Sequence, residues 1–208
     1  KVIWADHQMM LYAKDVLSRN KGAQIIYDVK CTSLLPKLIS ENGGNPILSR
    51  TGHSFIKKKL KETNAELAGE MSGHIFFKER WYGFDDALYT GARLLEIVSN
   101  SDKTCSEIFD ELPVNLSTPE ININFEKHGQ QYEAMESLSN NIDFPDASVN
   151  TIDGFRVDYE DCWGLVRPSN TTPCLVLRFE GTGVAELNKI QERFKKWLEG
   201  SGIPAENL

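Results

Sequence analysis

The sequence predicts an α/β protein in two parts: a mixed, largely parallel α/β/α layer domain over residues 1–114, followed by a smaller α+β domain with an antiparallel sheet over residues 115–208. In the first part, strand-like and helix-like segments alternate, which is typical of a parallel sheet covered by helices. In the second part, strand-like segments follow one another across short turns, and Asp153-Gly154 is a strong hairpin signal. The pattern changes near residues 113–119.

The elements of the first part follow from apolar periodicity and from capping residues. Ser, Thr and Asp accept hydrogen bonds from the first N–H groups of a helix, and glycine commonly ends one. In chain order we predict a helix capped by Asp6 that runs to residue 17, a strand over residues 25–29, a helix capped by Thr32 or Ser33 and ended by Gly43-Gly44, a strand over residues 47–48, a basic helix opened by residues 51–54, strands over residues 65–68 and 75–77, a helix over residues 87–98 capped by Asp85, and a helix to residue 112 with a Thr104–Glu107 capping box. The helix over residues 87–98 has among its apolar positions Leu88, Ala92, Leu95 and Ile97.

The second part opens with a segment in which Ile121, Ile123 and Phe125 alternate with polar residues, as a half-exposed strand requires. The elements that we predict here are this strand over residues 120–126, a helix over residues 130–140, strands over residues 149–152, 155–159, 163–166 and 175–179, and an amphipathic helix over residues 184–198.

Composition limits the classes of function. The chain has 208 residues, of which 40% are hydrophobic and 25% charged, and these fractions are ordinary for a globular protein. A formal net charge of -7 argues against a general nucleic-acid binder. No apolar run has the length needed to cross a bilayer, so we expect neither a nucleic-acid partner nor a membrane partner.

The four cysteines are widely separated in the sequence, and none forms a CxxC pair: Cys31, Cys105, Cys162 and Cys174. This distribution fits buried thiols in a reducing compartment. We therefore expect no disulfide and a cytoplasmic protein.

Residues 69–74 form the stretch around which the first candidate site is organised. Glycine at both ends permits positive φ and a close approach of the backbone to a ligand. If the stretch is extended, Glu70, Ser72 and His74 point to one side and present hydrogen-bonding groups suited to vicinal hydroxyls. The alternative is a polar hairpin turn. Glu70 and His74 lack a third ligand close by, so we expect no metal site.

Three polar residues from separate segments each follow a predicted strand: Lys30, His53 and Glu70. In parallel sheets, ligands bind at the carboxyl ends of the strands. This convergence favours a ligand site over a simple turn.

A second candidate site is the segment over residues 167–173, between the last two predicted strands. It offers the Arg167 guanidinium, three hydroxyls and an amide, together with backbone N–H groups that can point inward. A phosphate dianion needs such a forked cation and several short neutral donors. The alternative is a loop whose hydroxyls satisfy its own backbone.

Together these segments resemble the α-D-phosphohexomutase family, in its bacterial phosphomannomutase/phosphoglucomutase branch. The family has four domains, and the chain resembles the third and fourth along nearly its whole length. The matching segments are Asp28-Val29-Lys30-Cys31, Thr51-Gly52-His53-Ser54, Gly69-Glu70-Met71-Ser72-Gly73-His74 and Arg167-Pro168-Ser169-Asn170-Thr171-Thr172-Pro173.

The resemblance implies a role for each candidate residue. Glu70 and Ser72 bind the hexose 3- and 4-hydroxyls, so a site of this kind accepts both glucose and mannose, which differ at carbon 2. Lys30 and His53 face the sugar and its phosphate. His74 is the candidate general acid/base, because imidazoles titrate near neutral pH. The residues implied to grip the phosphate that is not being transferred are Arg167, Ser169, Asn170 and Thr171, with Thr172 adding a hydroxyl.

The family reaction moves a phosphoryl group between O1 and O6 of a hexose through hexose 1,6-bisphosphate. Its phosphoserine lies in the first domain, and its Asp-rich magnesium loop lies just before the third, so neither belongs to these residues. The resemblance thus implies Mg²⁺ bound outside this chain, hexose 1,6-bisphosphate as activator and intermediate, and the N-terminal domains of the same protein as partner. We expect the chain alone to bind sugar phosphate weakly and not to catalyse.

Two functions of different classes stay open. The first is the substrate-binding half of a phosphohexomutase, and the second is a non-catalytic sugar-phosphate-binding or regulatory module. The chain begins at Lys1 within an apolar, strand-like segment, which favours the first. The upstream gene sequence discriminates between them: a phosphorylation loop and a metal loop before Lys1 support the first, and an initiator Met close to Lys1 supports the second.

Overall fold

The computed structural model describes residues 2–206 and 208, and the chain forms two compact units, Lys1–Val114 and Asn115–Leu208. The prediction that the chain opens within a strand at Lys1 falls partly outside the described residues, and residues 2–4 form no strand. Within the described ranges, no helix is long and apolar enough to cross a membrane.

Helices and strands alternate along the first unit, as predicted. Its elements are α1 (Ala5–Arg19), β1 (Gln24–Asp28), α2 (Leu34–Glu41), β2 (Asn45–Ser49), α3 (His53–Thr63), β3 (Leu67–Gly69), β4 (Ile75–Phe77), α4 (Ala87–Ser99) and α5 (Cys105–Asp110).

The first unit is built on a four-stranded sheet of order β2-β1-β3-β4. β1 pairs in parallel with both neighbours, so that Ile26 lies opposite Ile47 on one side and Ala68 on the other. β4 runs antiparallel to β3. The mixed, largely parallel sheet expected from the sequence is therefore confirmed, and its three parallel strands end at the same edge.

Helices cover both faces of this sheet. Ile25 packs in one core cluster with Met9 of α1 and Leu35 of α2, whereas the next residue, Ile26, packs in a second cluster with Ile56 of α3. Successive side chains of a strand point to opposite faces, so this division confirms the predicted α/β/α layers.

Two of the predicted caps lie near the end of the first unit. The side chain of Thr104 caps α5, and Glu107 completes the predicted capping box. The cap of α4 is Asp86 rather than Asp85, because the Asp86 carboxylate accepts the backbone N–H of Tyr89 at 2.9 Å. The sequence offered two adjacent aspartates, and only their geometry distinguishes them.

The cap of α1 differs from the prediction, whereas the N-cap residue of α2 is one of the two predicted. Asp6 lies inside the first turn of α1, and its buried carboxylate accepts the backbone N–H of Thr32 at 3.0 Å. Ser33 is the N-cap residue of α2 by position, but the Thr32 hydroxyl accepts the Leu34 N–H at 3.3 Å. A long-range hydrogen bond thus takes the place of the local cap expected for Asp6.

Helix α4 turns a charged side chain toward the interior. Leu88 is 90% exposed and Leu95 is 70% exposed, whereas Arg93 is 2% exposed. The Arg93 guanidinium lies 2.7 Å from a carboxylate oxygen of Asp15 and 2.8 Å from one of Glu79. Leu88 and Leu95 are therefore on its exposed face. The inward side of α4 carries the ion pairs of Arg93 together with the partly buried Leu94, Ile97 and Val98.

The second unit has an antiparallel sheet, as predicted. Its strands follow the order β5-β10-β9-β8-β7, and β6 also pairs with β10. The two-residue strand β5 is too short to be predicted from alternation. The elements are β5 (Leu116–Ser117), β6 (Ile121–Asn124), α6 (Gln130–Ser139), β7 (Ser148–Asn150), β8 (Phe155–Asp158), β9 (Cys162–Pro168), β10 (Cys174–Gly181) and α7 (Val184–Gly200).

The core of the second unit lies between its sheet and its helices. Phe194 and Leu198 of α7 belong to the same buried cluster as Leu177 and Phe179 of β10. The rings of Phe179 and Phe194 meet edge to face with centroids 5.1 Å apart. This packing confirms the predicted α+β arrangement and leaves the β9–β10 loop beyond the core.

The orientation of α4 predicts that two substitutions in this helix change the free energy of unfolding by very different amounts. Leu95→Gln should change the free energy of unfolding by less than about 0.5 kcal/mol, because the side chain is exposed. Arg93→Ala should cost about 1.5–3 kcal/mol, because it removes the charged hydrogen bonds to the partly buried Asp15 and the buried Glu79, which both keep Arg19. Urea unfolding at neutral pH measures both, and a larger loss for Leu95→Gln would contradict the assigned rotation.

Candidate functional site

The loops that follow β1, β2 and β3 meet at the carboxyl edge of the first sheet. Lys30 lies two residues beyond β1 and is buried, and His53 is the first residue of α3, in the loop region after β2. Glu70 follows β3 directly. Because β1 lies between β2 and β3, these three segments are neighbours, as the sequence predicts for parallel strands.

The stretch from Glu70 to His74 is a tight hairpin turn rather than an extended segment. The Gly73 N–H donates to the Glu70 carbonyl at 3.0 Å, and the Glu70 N–H donates to the His74 carbonyl at 2.9 Å. Gly73 has φ 100°, which favours glycine, and this lets the chain reverse between β3 and β4. The expectation of three side chains on one side of an extended strand is therefore wrong: Glu70 is buried, and Ser72 and His74 are exposed.

The Glu70 carboxylate is buried and only half satisfied. Its Oε1 atom accepts the backbone N–H of Gly52 at 2.5 Å, whereas its Oε2 atom is buried and has no hydrogen-bond partner among the described residues. Burial raises the pKa of Glu70, and the charge of Asp28 acts in the same direction, while the Gly52 N–H and the charges of His74 and Lys30 oppose it. A ligand hydroxyl at Oε2 would complete this carboxylate.

Asp28 holds the same loops from behind, and the sequence prediction did not assign it a role. Its fully buried carboxylate accepts the Cys31 thiol at 3.1 Å and the Met71 N–H at 3.2 Å on Oδ1, and the Thr51 hydroxyl at 3.0 Å on Oδ2. Burial, followed by the charge of Asp28, raises the pKa of Cys31, which keeps the thiol protonated as a donor. The signal in the sequence was an aspartate at the end of an apolar strand.

His74 has an acidic partner that sequence reasoning took for a helix cap. Its Nδ1 atom lies 2.6 Å from Oδ2 of Asp85. Because an ionised carboxylate only accepts, Nδ1 carries the proton, and Nε2 is the atom that can exchange a proton with a ligand. The rings of His53 and His74 lie 5.8 Å apart between centroids. The structure therefore brings these two predicted residues together.

In the second unit, Arg167 is buried at the end of β9 and is anchored by Asp153. Its Nε donates to Asp153 Oδ2 at 2.9 Å, and its Nη2 atom is buried with no hydrogen-bond partner in the part of the chain that the structure describes. Gly154, with φ 79°, allows the β7–β8 turn to approach β9 closely, because a Cβ atom there would lie 2.2 Å from the Val166 carbonyl oxygen. The predicted Asp153-Gly154 turn thus has a further role, because it places the Asp153 carboxylate that orients Arg167.

The loop over residues 169–173 satisfies much of its own backbone. The Ser169 N–H donates to the Cys174 carbonyl at 2.9 Å, and the Thr171 and Thr172 N–H groups approach the Ser169 hydroxyl at 3.4 and 3.2 Å. The expectation that these N–H groups point inward to a ligand is wrong for these three residues. The side chains of Asn170, Thr171 and Thr172 are exposed, so the donors that they offer are side-chain groups.

No group of three or more His, Cys, Asp or Glu side chains in the described part of the chain is placed to hold a metal ion. What the arrangement offers is a buried acceptor and a histidine–aspartate pair in the first unit, and a buried guanidinium with hydroxyls in the second.

Known proteins match this chain in both units. The family model described as phosphoglucomutase/phosphomannomutase, alpha/beta/alpha domain III, matches residues 4–116, and the model for the C-terminal domain of the same family matches residues 120–196. The phosphomannomutase/phosphoglucomutase of Pseudomonas putida is 53% identical over 197 residues, which are 95% of this chain and 42% of that protein. The phosphoglucomutase of Neisseria gonorrhoeae is 53% identical over 201 residues, which are 96% of this chain and 44% of that protein.

A solved structure gives the same result. The crystal structure of a phosphoglucomutase/phosphomannomutase family protein from Burkholderia thailandensis matches with a TM-score of 0.91 and 51% identity, over 97% of this chain and 43% of that chain. The chain therefore spans less than half of the length of the relatives it matches.

The raised pKa of Glu70 predicts a pH-dependent cost to stability. The folded state keeps the Glu70 proton at pH values where the unfolded chain has lost it, so ionisation of Glu70 destabilises the fold increasingly as the pH rises from about 4.5 through the folded pKa. Glu70→Gln cannot ionise and keeps an acceptor for Gly52. Its stability relative to wild type should therefore increase between pH 4 and pH 7.

Urea unfolding of both proteins at the two pH values measures this difference, and any pH-independent cost of the new amide cancels. The exposed Glu62→Gln is the matched control and should follow the wild type. A constant difference between Glu70→Gln and wild type would contradict the burial of an ionisable Glu70.

Proposed function

We propose that this chain, which belongs to the phosphoglucomutase/phosphomannomutase family, is the substrate-binding half of a phosphohexomutase. The family resemblance stated from the sequence is confirmed by the two family models and by relatives at more than half identity. The proposed reaction interconverts the 1-phosphate and 6-phosphate of mannose or glucose through a hexose 1,6-bisphosphate. The phosphoserine that exchanges the phosphoryl group lies outside this chain.

The proposal rests on two buried atoms, one an acceptor and one a donor, that have no hydrogen-bond partner among the described residues. Glu70 Oε2 is an acceptor when the carboxyl is ionised, and Arg167 Nη2 is a donor. Buried polar groups in proteins are almost always hydrogen-bonded, so each of these atoms calls for a partner. A sugar phosphate supplies both kinds, because its hydroxyls donate and its phosphate oxygens accept.

In the first unit, we assign binding of the 3- and 4-hydroxyls of the sugar to Glu70 and Ser72. Lys30 and His53 are assigned to the sugar and its phosphate at the same edge of the sheet. The turn supports this assignment, because it holds Ser72 two residues after Glu70, whose second carboxylate oxygen lacks a partner among the described residues. Neither glucose nor mannose is excluded by contacts at these two hydroxyls.

We assign proton transfer to His74. Asp85 holds Nδ1 as a donor at 2.6 Å, so Nε2 is left to take a proton from the hydroxyl that attacks phosphorus, or to return one to the leaving oxygen. The carboxylate also stabilises the imidazolium that forms during the transfer. Asp85 is a positioning residue in this proposal.

In the second unit, we assign the phosphate that is not being transferred to Arg167 and the loop after it. A guanidinium held by one carboxylate at Nε keeps its other edge for a second anion. The loop side chains assigned to this phosphate are Ser169, Asn170, Thr171 and Thr172. Because Ser169 already accepts two loop N–H groups, it fixes the loop as well as offering its hydroxyl.

The remaining parts of the proposal lie outside this chain. Mg²⁺, when bound by the other domains, would neutralise charge on the phosphoryl group, and hexose 1,6-bisphosphate would be the activator and intermediate. The partner is the N-terminal half of the same protein. We place the protein in the cytoplasm, because all four cysteines are free thiols.

Removal of the Arg167 guanidinium should weaken binding of glucose 1-phosphate. A hydrogen bond to a charged group is worth about 1.5–3 kcal/mol, so Arg167→Ala should raise the Kd roughly 10- to 100-fold. Titration of the 208-residue chain followed by NMR measures this weak binding. Arg193→Ala on α7 is the matched control, and equal affinities for wild type and Arg167→Ala would count against the phosphate site.

The chain alone should show no mutase activity. Its described residues form no metal site, and the proposed phosphoserine is not among its assigned residues. The assay contains glucose 1-phosphate, glucose 1,6-bisphosphate and Mg²⁺, and the full-length Pseudomonas putida relative serves as the positive control. Conversion above the enzyme-free rate would show that this chain holds the whole catalytic site.

A further inference from the structure

We propose that Asp28 is the positioning residue of the sugar-binding edge: its buried carboxylate holds the loops after β1, β2 and β3 in the relative placement that Glu70 needs to bind a sugar hydroxyl. This inference deepens the proposed function and rests on it. Asp28 itself is fully buried and acts through the residues that it holds.

Each loop contributes a hydrogen-bond donor to this carboxylate. The Cys31 thiol comes from the loop after β1, the Thr51 hydroxyl from the loop after β2, and the Met71 N–H from the turn after β3, at 3.1, 3.0 and 3.2 Å. A buried carboxylate is retained only where donors of this kind replace water. Without it, the Met71 N–H and the Thr51 hydroxyl would lose this shared acceptor, and the loops would be held less closely.

Two of these donors, on Thr51 and Met71, are adjacent in the chain to the residues that set the position of the Glu70 carboxylate. Thr51 precedes Gly52, whose N–H holds Glu70 Oε1 at 2.5 Å, and Met71 follows Glu70 in the chain. Asp28 therefore fixes the peptide on one side of the Glu70 carboxylate and the hydrogen-bond partner on the other. A shift of either would move Oε2, the atom assigned to the sugar hydroxyl.

Substitutions at position 28 can distinguish loss of the three hydrogen bonds from loss of the negative charge. Asparagine at position 28 keeps one oxygen for Cys31 and Met71, and the Thr51 hydroxyl can turn round to accept from the new amide, because a hydroxyl both donates and accepts. Alanine removes all three contacts. Positioning therefore predicts that Asp28→Asn largely retains function and that Asp28→Ala does not.

The test is an NMR titration of the 208-residue chain with glucose 1-phosphate. We expect the Kd of Asp28→Ala to rise roughly tenfold or more, and that of Asp28→Asn to stay within about threefold of wild type. The amide signals of Gly52 and Met71 should move in Asp28→Ala and stay close to wild type in Asp28→Asn. Ile39→Val, buried in α2, is the control for lost stability and should bind as wild type does.

Wild-type affinity in folded Asp28→Ala would overturn this inference and leave the proposed function intact. Equal weakening in Asp28→Asn and Asp28→Ala, or in Ile39→Val, would also overturn it, because charge or stability would then be the cause. If Asp28→Ala does not fold, Thr51→Val decides, with weaker binding expected and wild-type affinity contradicting the inference. Absence of binding by the wild type overturns the proposed function itself.

Discussion

Because β1 pairs in parallel with β2 on one side and with β3 on the other, the chain leaves all three strands at one edge of the sheet. The antiparallel β4 then returns from the same edge, so the turn between β3 and β4 joins this group of loops. Asp28 ends β1, which lies between the other two parallel strands, and its carboxylate reaches a loop on each side. The placement of Glu70 and His74 follows from this strand order.

The candidate site is not arranged for stability. Glu70 Oε2 and Arg167 Nη2 are buried without partners, and a lost hydrogen bond of this kind costs about 1–3 kcal/mol. In the proposed function the ligand completes both atoms, and natural proteins commonly give up stability at functional sites.

Local sequence patterns predicted most of the fold and located the two polar segments of the candidate site. Period-2 and period-3.6 patterns located nearly every strand and helix, and the capping box at Thr104 was found because its two members are three residues apart. The failures involve distant partners. The exposed face of α4 depends on the contact of Arg93 with Asp15, 78 residues away along the chain. Likewise, the roles of Asp28 and Asp153 depend on residues brought near only by sheet pairing.

The two units carry complementary chemistry for a physical reason. Glu70 and Asp28 are buried near each other, and the charge of Asp28 already raises the pKa of Glu70. A phosphate dianion held by these carboxylates would meet repulsion that is weakly screened in a buried site. Neutral sugar hydroxyls avoid this cost, whereas Arg167 in the second unit offers the positive charge that a phosphate needs. The proposed function follows this division of charge: it gives the sugar hydroxyls to Glu70 in the first unit and the phosphate that is not transferred to Arg167 in the second.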